Sequence, residues 1–161
     1  MALILGTEYC KVDSNGRFRF PIALKKRLGG EDFRFAMRQC PVARCLELWP
    51  YASFEAEAAR LRGTLNLYNI ADNKMYLRLT NVSLVDLDGS DRMMLPPERR
   101  GLLGTSKEIV LHAAGDCIQI WERGAYDKMM NMESEFDENF AMEVNNRLGK
   151  TYGVPSASDA E

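Results

Sequence analysis

Short stretches in which hydrophobic and polar residues alternate recur along the chain, each bounded by glycine, proline or aspartate. Alternation with a period of two is typical of half-buried β-strands, and short apolar runs between turn residues also favour strands. These patterns predict strands at 9–12, 17–20, 33–38, 45–48, 82–87, 92–95, 108–112 and 117–121. A β-rich fold follows from this pattern.

Proline and glycine mark the helices between these strands. Pro21 and Pro96 are each predicted to start a short helix, because a fixed φ and a missing N–H cost little there. These helices are predicted to end at Gly29-Gly30 and at Gly104, since glycine commonly follows a helix. Further helices are predicted at 51–62, behind Pro50, at about 123–132, and at 137–148.

The chain contains an internal repeat. Asp13, Arg17 and Pro21 recur as Asp88, Arg92 and Pro96, each at an offset of 75 residues. Farther along, the strand that ends at Trp49 corresponds to the one that ends at Trp121, and an aromatic residue (Phe54, Tyr126) follows each. One four-stranded copy cannot bury both faces of its strands. We therefore expect the two copies to exchange hairpins or to pack about a pseudo-twofold axis, as a fused homodimer would.

The turn of the first copy has its own signal. Asn15-Gly16 favours a tight turn, because both residues tolerate positive φ. Asp13 is expected either to accept hydrogen bonds from the turn backbone or to pair with Arg17.

The predicted organisation has five parts. Repeat 1 spans 7–53, a largely apolar helical connector spans 54–82, and repeat 2 spans 83–126. A C-terminal helical segment covers 127–149, and a small, polar tail at 150–161 is expected to be disordered. Met129, Met130 and Met132 are interpreted either as a subunit contact or as ordinary helix core.

Composition narrows the function classes. The 161 residues suffice for one ordinary domain or two very small ones. No apolar run approaches the roughly 18 residues that cross a bilayer, so no membrane partner is expected. Residues 1–5 lack the basic start of a secretory signal, which predicts a cytoplasmic protein.

Catalytic and metal-binding chemistry is not expected. Cys40 and Cys45 have no second close cysteine pair, so the four cysteines, with Cys10 and Cys117, are interpreted as small thiols rather than as zinc ligands. The single histidine, His112, lies in a predicted strand and is interpreted as structural. The chain has no phosphate-binding loop, dinucleotide fingerprint or nucleophile elbow, so neither a cofactor nor an enzyme activity is predicted.

Charge is distributed unevenly. Although the formal net charge is −2, residues 1–49 contain nine basic and five acidic residues, a net of +4. Residues 127–161 contain eight acids and three bases, a net of −5. A nearly neutral protein can therefore present one positive face to nucleic acid, although the same charges could simply solvate a surface.

The repeated motifs resemble the MraZ family of bacterial regulators, encoded at the head of the division and cell wall gene cluster. Its hallmark is two Asp-x-x-x-Arg motifs, each followed by proline, here Asp13 to Arg17 with Pro21 and Asp88 to Arg92 with Pro96. The segments 45–50 and 118–121 also resemble family strands. Two departures are Asn15, where lysine is usual, and Asp91, where glycine is usual.

The resemblance implies two fused AbrB/SpoVT-like swapped-hairpin β-barrel repeats. It further implies a nucleoid-associated repressor of its own operon that binds double-stranded DNA at tandem short G-rich boxes. The implied assembly is a closed homo-oligomeric ring of many subunits. An alternative is an antitoxin-like or scaffold protein that uses the same fold mainly to hold another protein.

Arginines of the first copy are the candidate base-reading residues. Arg17 and Arg19 alternate on a strand and can share one face, and arginine can bridge guanine O6 and N7. Phosphate contacts are predicted for Lys11, Lys25, Lys26 and Arg27.

The remaining motif residues are predicted to be structural. Because the second copy is acidic around Asp91, Arg92 is expected mainly to complete the fold. For Arg17 the competing interpretation is a salt bridge with Asp13 that pins the hairpin. Structural roles are also expected for Gly16, Pro21, Asp88 and Pro96.

Overall fold

The computed structural model describes residues 3–131 and 136–153. They form a mixed α and β structure with a large antiparallel sheet. The strands are β1 (Ile4–Lys11), β2 (Arg17–Arg19), β3 (Arg34–Gln39), β4 (Leu46–Pro50), β5 (Ser83–Asp86), β6 (Arg92–Met94), β7 (Glu108–Gly115) and β8 (Ile118–Glu122). The α-helices of the described residues are α1 (Ile22–Leu28), α2 (Tyr51–Thr64), α3 (Ile70–Leu79), α4 (Pro97–Arg100), α5 (Arg123–Met130) and α6 (Glu138–Leu148).

Six strands form one sheet in the order β1-β7-β8-β4-β3-β5. Each neighbouring pair is antiparallel, and β1 lies along the whole of β7, from Ile4 opposite Gly115 to Lys11 opposite Glu108. The first strand of each copy, β1 or β5, therefore lies at an edge of the sheet and pairs with a strand of the other copy, β7 or β3. Strands of both copies thus contribute to a single sheet.

The remaining strands, β2 and β6, pair only with each other. We call this two-stranded sheet the ribbon. One strand comes from each copy, and the backbone continues the exchange beyond the strands. Phe20 N donates to Asp91 O and Leu95 N donates to Gly16 O, both at 2.8 Å. Because these two bonds differ by the same offset of 75, the two copies are held by equivalent contacts.

The core lies where the alternating strand residues meet. In β2 and β6 the middle residues Phe18 and Met93 are buried, whereas their neighbours are exposed. The largest fully buried side chains are Phe18, Phe20, Leu24, Phe35, Met37, Leu46, Leu48, Met93, Ile109, Leu111, Ile118 and Ile120. Both copies supply members of this core, so neither copy buries its hydrophobic face alone.

A charged pair is buried on β3 and β4. Arg38 Nε donates to Glu47 Oε1 at 2.6 Å, and Trp49 Nε1 donates to the same oxygen at 3.1 Å. In the same register the second copy places His112 opposite Gln119. There Trp121 Nε1 donates to Gln119 Oε1 at 2.9 Å.

The predicted elements are present, with shifted ends. β1 begins at Ile4 rather than at residue 9, and β7 continues to Gly115, because these strands pair along their whole length. Pro21 and Pro96 precede their helices as the N-cap residue, and Pro97 is the proline inside the first turn of α4. The helix predicted to extend to 132 ends at Met130.

The connector is helical only in part. α2 begins at Tyr51, and α3 covers Ile70–Leu79. No side chain of α3 is buried, and Tyr68 and Ile70 are 100% and 89% exposed. The apolar residues of the connector therefore lie largely on the surface of a single chain.

A second unit begins at Met130. In it Asp137 caps α6, accepting from Phe140 N at 3.0 Å, as the predicted helix requires. Met129 and Met130 are exposed, whereas Met132 lies outside the described residues. In the predicted tail, Lys150–Gly153 form a turn, and residues 154–161 lie outside the described residues.

Candidate nucleic-acid interface

Each motif aspartate builds the turn that it begins. Asp13 Oδ1 accepts from the backbone N–H groups of Asn15 and Arg17, both at 2.9 Å. Asp88 Oδ1 accepts in the same way from Ser90 at 2.8 Å and from Arg92 at 3.0 Å. Of the two roles considered for Asp13, the structure shows hydrogen bonding to the turn backbone.

These hydrogen bonds stabilise the charged carboxylates. The N–H of Arg17 lowers the pKa of Asp13 below its ordinary value of 3.8, and that of Arg92 lowers the pKa of Asp88. Both carboxylates are therefore ionised at neutral pH and committed to the backbone.

The last residue of each turn has left-handed backbone geometry. Gly16 has a φ of 81° and Asp91 a φ of 59°. Asn15, which also tolerates positive φ, does not adopt it, because a three-residue loop with a type I turn needs it only at the last position. In the second turn Asp91 adopts the left-handed geometry that Gly16 has in the first.

The exposed face of the ribbon carries arginines from both copies. Arg17 lies opposite Met94, and Arg19 lies directly opposite Arg92. We call Arg17, Arg19 and Arg92 the ribbon arginines. Within the described residues, none of their guanidinium groups has a hydrogen-bond or ion-pair partner. The alternative of an Asp13–Arg17 salt bridge is therefore absent from this structure.

The local sequence did not predict that Arg92 lies on the exposed face of the ribbon. Its acidic surroundings suggested a structural residue, but Asp88 is occupied by the backbone of its own turn. The signal that was available is the constant offset between the motifs. If two equivalent strands pair about a twofold axis, their exposed arginines share one face.

Like charges directly opposite each other destabilise a strand pair. The Arg19–Arg92 juxtaposition is such a case, with Arg17 two residues along the same strand. A polyanion laid along this face would convert the repulsion into attraction. The ribbon arginines thus place three guanidinium groups on one exposed face, with the carboxylates of Asp13 and Asp88 close enough to interact with Arg17 and Arg92.

The four candidate phosphate-binding residues fall into two groups. The side chains of Lys11 and Lys26 are exposed. Lys25 Nζ instead donates to Asp91 Oδ1 at 2.6 Å, and Arg27 Nη1 donates to Leu5 O at 2.8 Å. Only the first group is free to meet a ligand without breaking a contact of the fold.

The cysteines offer no ligand set. Cys40, Cys45 and Cys117 are buried, and no group of three or more His, Cys, Asp or Glu side chains that could hold a metal occurs within 3–131 or 136–153. Burial raises the pKa of Cys10 to about 11 and that of Cys117 to about 12. These thiols therefore stay protonated at neutral pH. His112 Nδ1 lies 3.0 Å from the hydroxyl of Tyr126, as expected of a structural histidine.

Comparison with known proteins identifies similar chains. A family model described as "MraZ protein, putative antitoxin-like" matches residues 79–147. The protein named Transcriptional regulator MraZ from Christiangramia forsetii is 33% identical over 147 residues, which are 89% of this chain and 94% of that protein. The protein of the same name from Flavobacterium psychrophilum is 31% identical over 133 residues, 81% of this chain and 84% of that protein. The Bacteroides fragilis protein is 26% identical over 132 residues, 80% and 83% of the two chains.

These relatives place the chain in the class of transcriptional regulators. More narrowly, identity of this extent over nearly the whole length shows that the chain belongs to the MraZ family. No helix among the described residues is long and apolar enough to span a membrane.

Proposed function

We propose that this chain is a sequence-specific DNA-binding regulator that represses its own operon, and that the ribbon is its reading element. The observation that carries the proposal is the exposed face on which the ribbon arginines, drawn from both copies, have no hydrogen-bond or ion-pair partner for their guanidinium groups among the described residues. A two-stranded ribbon fits the major groove, and arginine is the commonest specific reader of guanine there. Tandem G-rich boxes are therefore the proposed target.

We assign base contacts and phosphate contacts to the basic side chains that make no side-chain hydrogen bond or ion pair within the described fold. The ribbon arginines contact base edges, while Lys11 and Lys26 contact phosphates and set the register. Arg92 joins the base-reading residues in this proposal, because it lies opposite Arg19. Arg27 is assigned to the fold, since its guanidinium is bonded to the β1 backbone.

The fold assignment belongs to the same proposal. The exchange of β2 and β6 between the copies supports two fused AbrB/SpoVT-like swapped-hairpin repeats at 7–53 and 83–126. A closed ring of subunits would present several ribbons to consecutive boxes, so that binding becomes multivalent. Nucleoid association would follow from that binding.

The test is a mobility-shift titration on DNA upstream of the native operon. Arg17→Ala and Arg92→Ala should each weaken binding about 5- to 150-fold, which corresponds to the 1–3 kcal/mol of a good arginine–guanine pair. Arg44→Ala, which removes an exposed arginine of the β3–β4 turn, serves as the charge-matched control. Equal affinity of the wild type for scrambled DNA would reject sequence reading, and unchanged binding by Arg17→Ala would remove the ribbon from the mechanism.

A protein-holding, antitoxin-like role is the second candidate. The exposed apolar side chains of the connector, Tyr68 and Ile70 among them, favour it, and the description of the matching family model is consistent with it. A Tyr68→Ser, Ile70→Ser variant separates the two. It should leave DNA affinity unchanged under the first proposal and lose a co-purifying partner under the second.

A further inference from the structure

A basic side chain from one copy holds the turn of the other copy. Arg100 Nε donates to Leu95 O at 2.6 Å, and its Nη2 donates across to Asn15 O at 3.0 Å. A Cβ added to Gly16 would lie 2.3 Å from Arg100 Cζ. The guanidinium of the second copy therefore rests directly on the left-handed residue of the first turn.

Lys25 makes the equivalent contact in the opposite direction. It precedes Arg100 by 75 residues, the same offset that relates the two motifs. Its Nζ donates to Asp91 Oδ1 at 2.6 Å, and Asp91 is the left-handed residue of the second turn. Both partners are partly shielded, with side-chain exposures of 31% and 36%. Each turn is thus held by a basic side chain of the other copy, and we call these two contacts the clamps. In the first clamp the Arg100 guanidinium packs on Gly16, and in the second the Lys25 ammonium pairs with the Asp91 carboxylate.

The second clamp acts next to a ribbon arginine. Asp91 immediately precedes Arg92, and its carbonyl accepts from Phe20 N at 2.8 Å. Left-handed geometry is unfavourable for a residue with a Cβ, although less so for aspartate than for most residues. The ion pair with Lys25, formed in this geometry, offsets that cost. Whatever holds Asp91 in place therefore also sets the direction of Arg92.

We propose that Lys25 is a positioning residue: through its ion pair with Asp91 it orients Arg92 on the ribbon for DNA, and it makes no phosphate contact of its own. This inference rests on the proposed function. On this proposal the aspartate at position 91 is compatible with DNA contact by Arg92, because its carboxylate pairs with Lys25 rather than with Arg92.

A double-mutant cycle separates positioning from phosphate contact. The variants are Lys25→Gln, Asp91→Gly and the double variant, with Lys26→Gln as the charge-matched control on the same helix. Glycine adopts the left-handed geometry without a clamp. Lys25→Gln should therefore weaken DNA binding about fivefold in the wild type, a coupling typical of contacting pairs, and less than twofold in the Asp91→Gly background. Equal losses in both backgrounds, or no loss in the wild type, would overturn the proposal.

The salt dependence of DNA affinity gives a second measurement, which a purely structural role of Lys25 would leave unchanged. Each phosphate contact contributes about 0.9 to the slope of log affinity against log salt concentration. Lys26→Gln should lower the slope by about that amount, whereas Lys25→Gln should leave it unchanged. A lowered slope for Lys25→Gln would identify it as a phosphate contact. Lys25→Arg restores a cation able to reach Asp91 and should recover most of the affinity. If Lys25→Gln fails to fold, Lys25→Arg is compared instead in the wild type and in the Asp91→Gly background.

A measurement without DNA keeps the two proposals distinguishable. In the free protein, Lys25→Gln should shift the NMR signals of the Arg92 backbone amide and side-chain Nε–H, and Lys26→Gln should not. In the Asp91→Gly background the effect of Lys25→Gln should vanish. If the wild type does not bind DNA, the proposed function fails while the clamp is still judged by these spectra. Unmoved Arg92 signals would reject the clamp even if DNA binding is strong.

Discussion

Asp13 and Asp88 order their turns through charge-assisted hydrogen bonds from backbone N–H groups. Each aspartate therefore positions the arginine that follows its turn, Arg17 or Arg92. At the scale of single residues, the motif is a structural carboxylate plus a free guanidinium, rather than an ion pair.

The lowered pKa of both aspartates makes turn stability depend on pH. Their contribution is fully present above the ordinary pKa of 3.8 and is lost as pH falls through the lower folded-state pKa. An Asp13→Asn, Asp88→Asn variant should be less stable than the wild type at pH 6, and the difference should shrink below pH 3.8. Urea unfolding at a series of pH values measures it. A difference that stays constant to pH 2.5 would contradict this role.

Gly16 is the residue on which the first turn depends. Its φ of 81° and the close approach of Arg100 both disfavour a side chain. Gly16→Ala should cost at least about 1–2 kcal/mol from backbone geometry alone, and should also displace Arg100. Gly89→Ala, in the second turn but with open space around it, is the matched control and should be nearly neutral. Thermal unfolding of the two variants tests this, and equal losses would contradict it.

At the scale of elements, the two copies have the same order of strands and helices but different buried chemistry. Arg38 and Glu47 form a buried ion pair in β3 and β4, where the second copy has His112 and Gln119. The Arg38 guanidinium also lies over the rings of Trp49 and Phe54. This arrangement ties α2 to the sheet, since Phe54 lies on that helix.

Glu47→Gln introduces the glutamine that the second copy has at position 119, but it leaves Arg38 opposite where the second copy has His112. Breaking a buried ion pair typically costs about 3–5 kcal/mol. We expect about 3 kcal/mol here, because Glu57 remains 3.4 Å from Arg38. Arg38→Met with Glu47→Gln should be less destabilised than Glu47→Gln, since no buried cation is left behind. Denaturant unfolding distinguishes the two, and a single variant as stable as the wild type would show that the pair is not needed.

At the scale of the whole molecule, the ribbon is a joint product of both halves of the chain. A three-residue strand from either copy has no stability by itself, and each strand is held by the core residue at its centre, Phe18 or Met93. The halves therefore cannot be divided into a reading domain and a scaffold domain.

Multivalent binding makes box number and spacing testable. Under the proposed assembly, DNA with two boxes should bind about 10²- to 10⁴-fold more tightly than DNA with one. Inserting five base pairs between the boxes, about half a helical turn, should remove most of this gain. Titration of the three DNAs, with the subunit number determined by light scattering, gives the answer. Equal affinity for one and two boxes would contradict a multivalent assembly.

The secondary structure and the internal repeat could be predicted largely from the sequence alone. Alternating residues, proline and glycine specified the strands, helices and repeat, because these signals depend only on local geometry. The Asp-x-x-x-Arg motifs identified the turns for the same reason. The local sequence did not reveal the partner of each ribbon strand, the free face of Arg92, or the engagement of Lys25 with Asp91. Those features join residues about 65 to 75 positions apart, so they exist only once strands of the two copies pair.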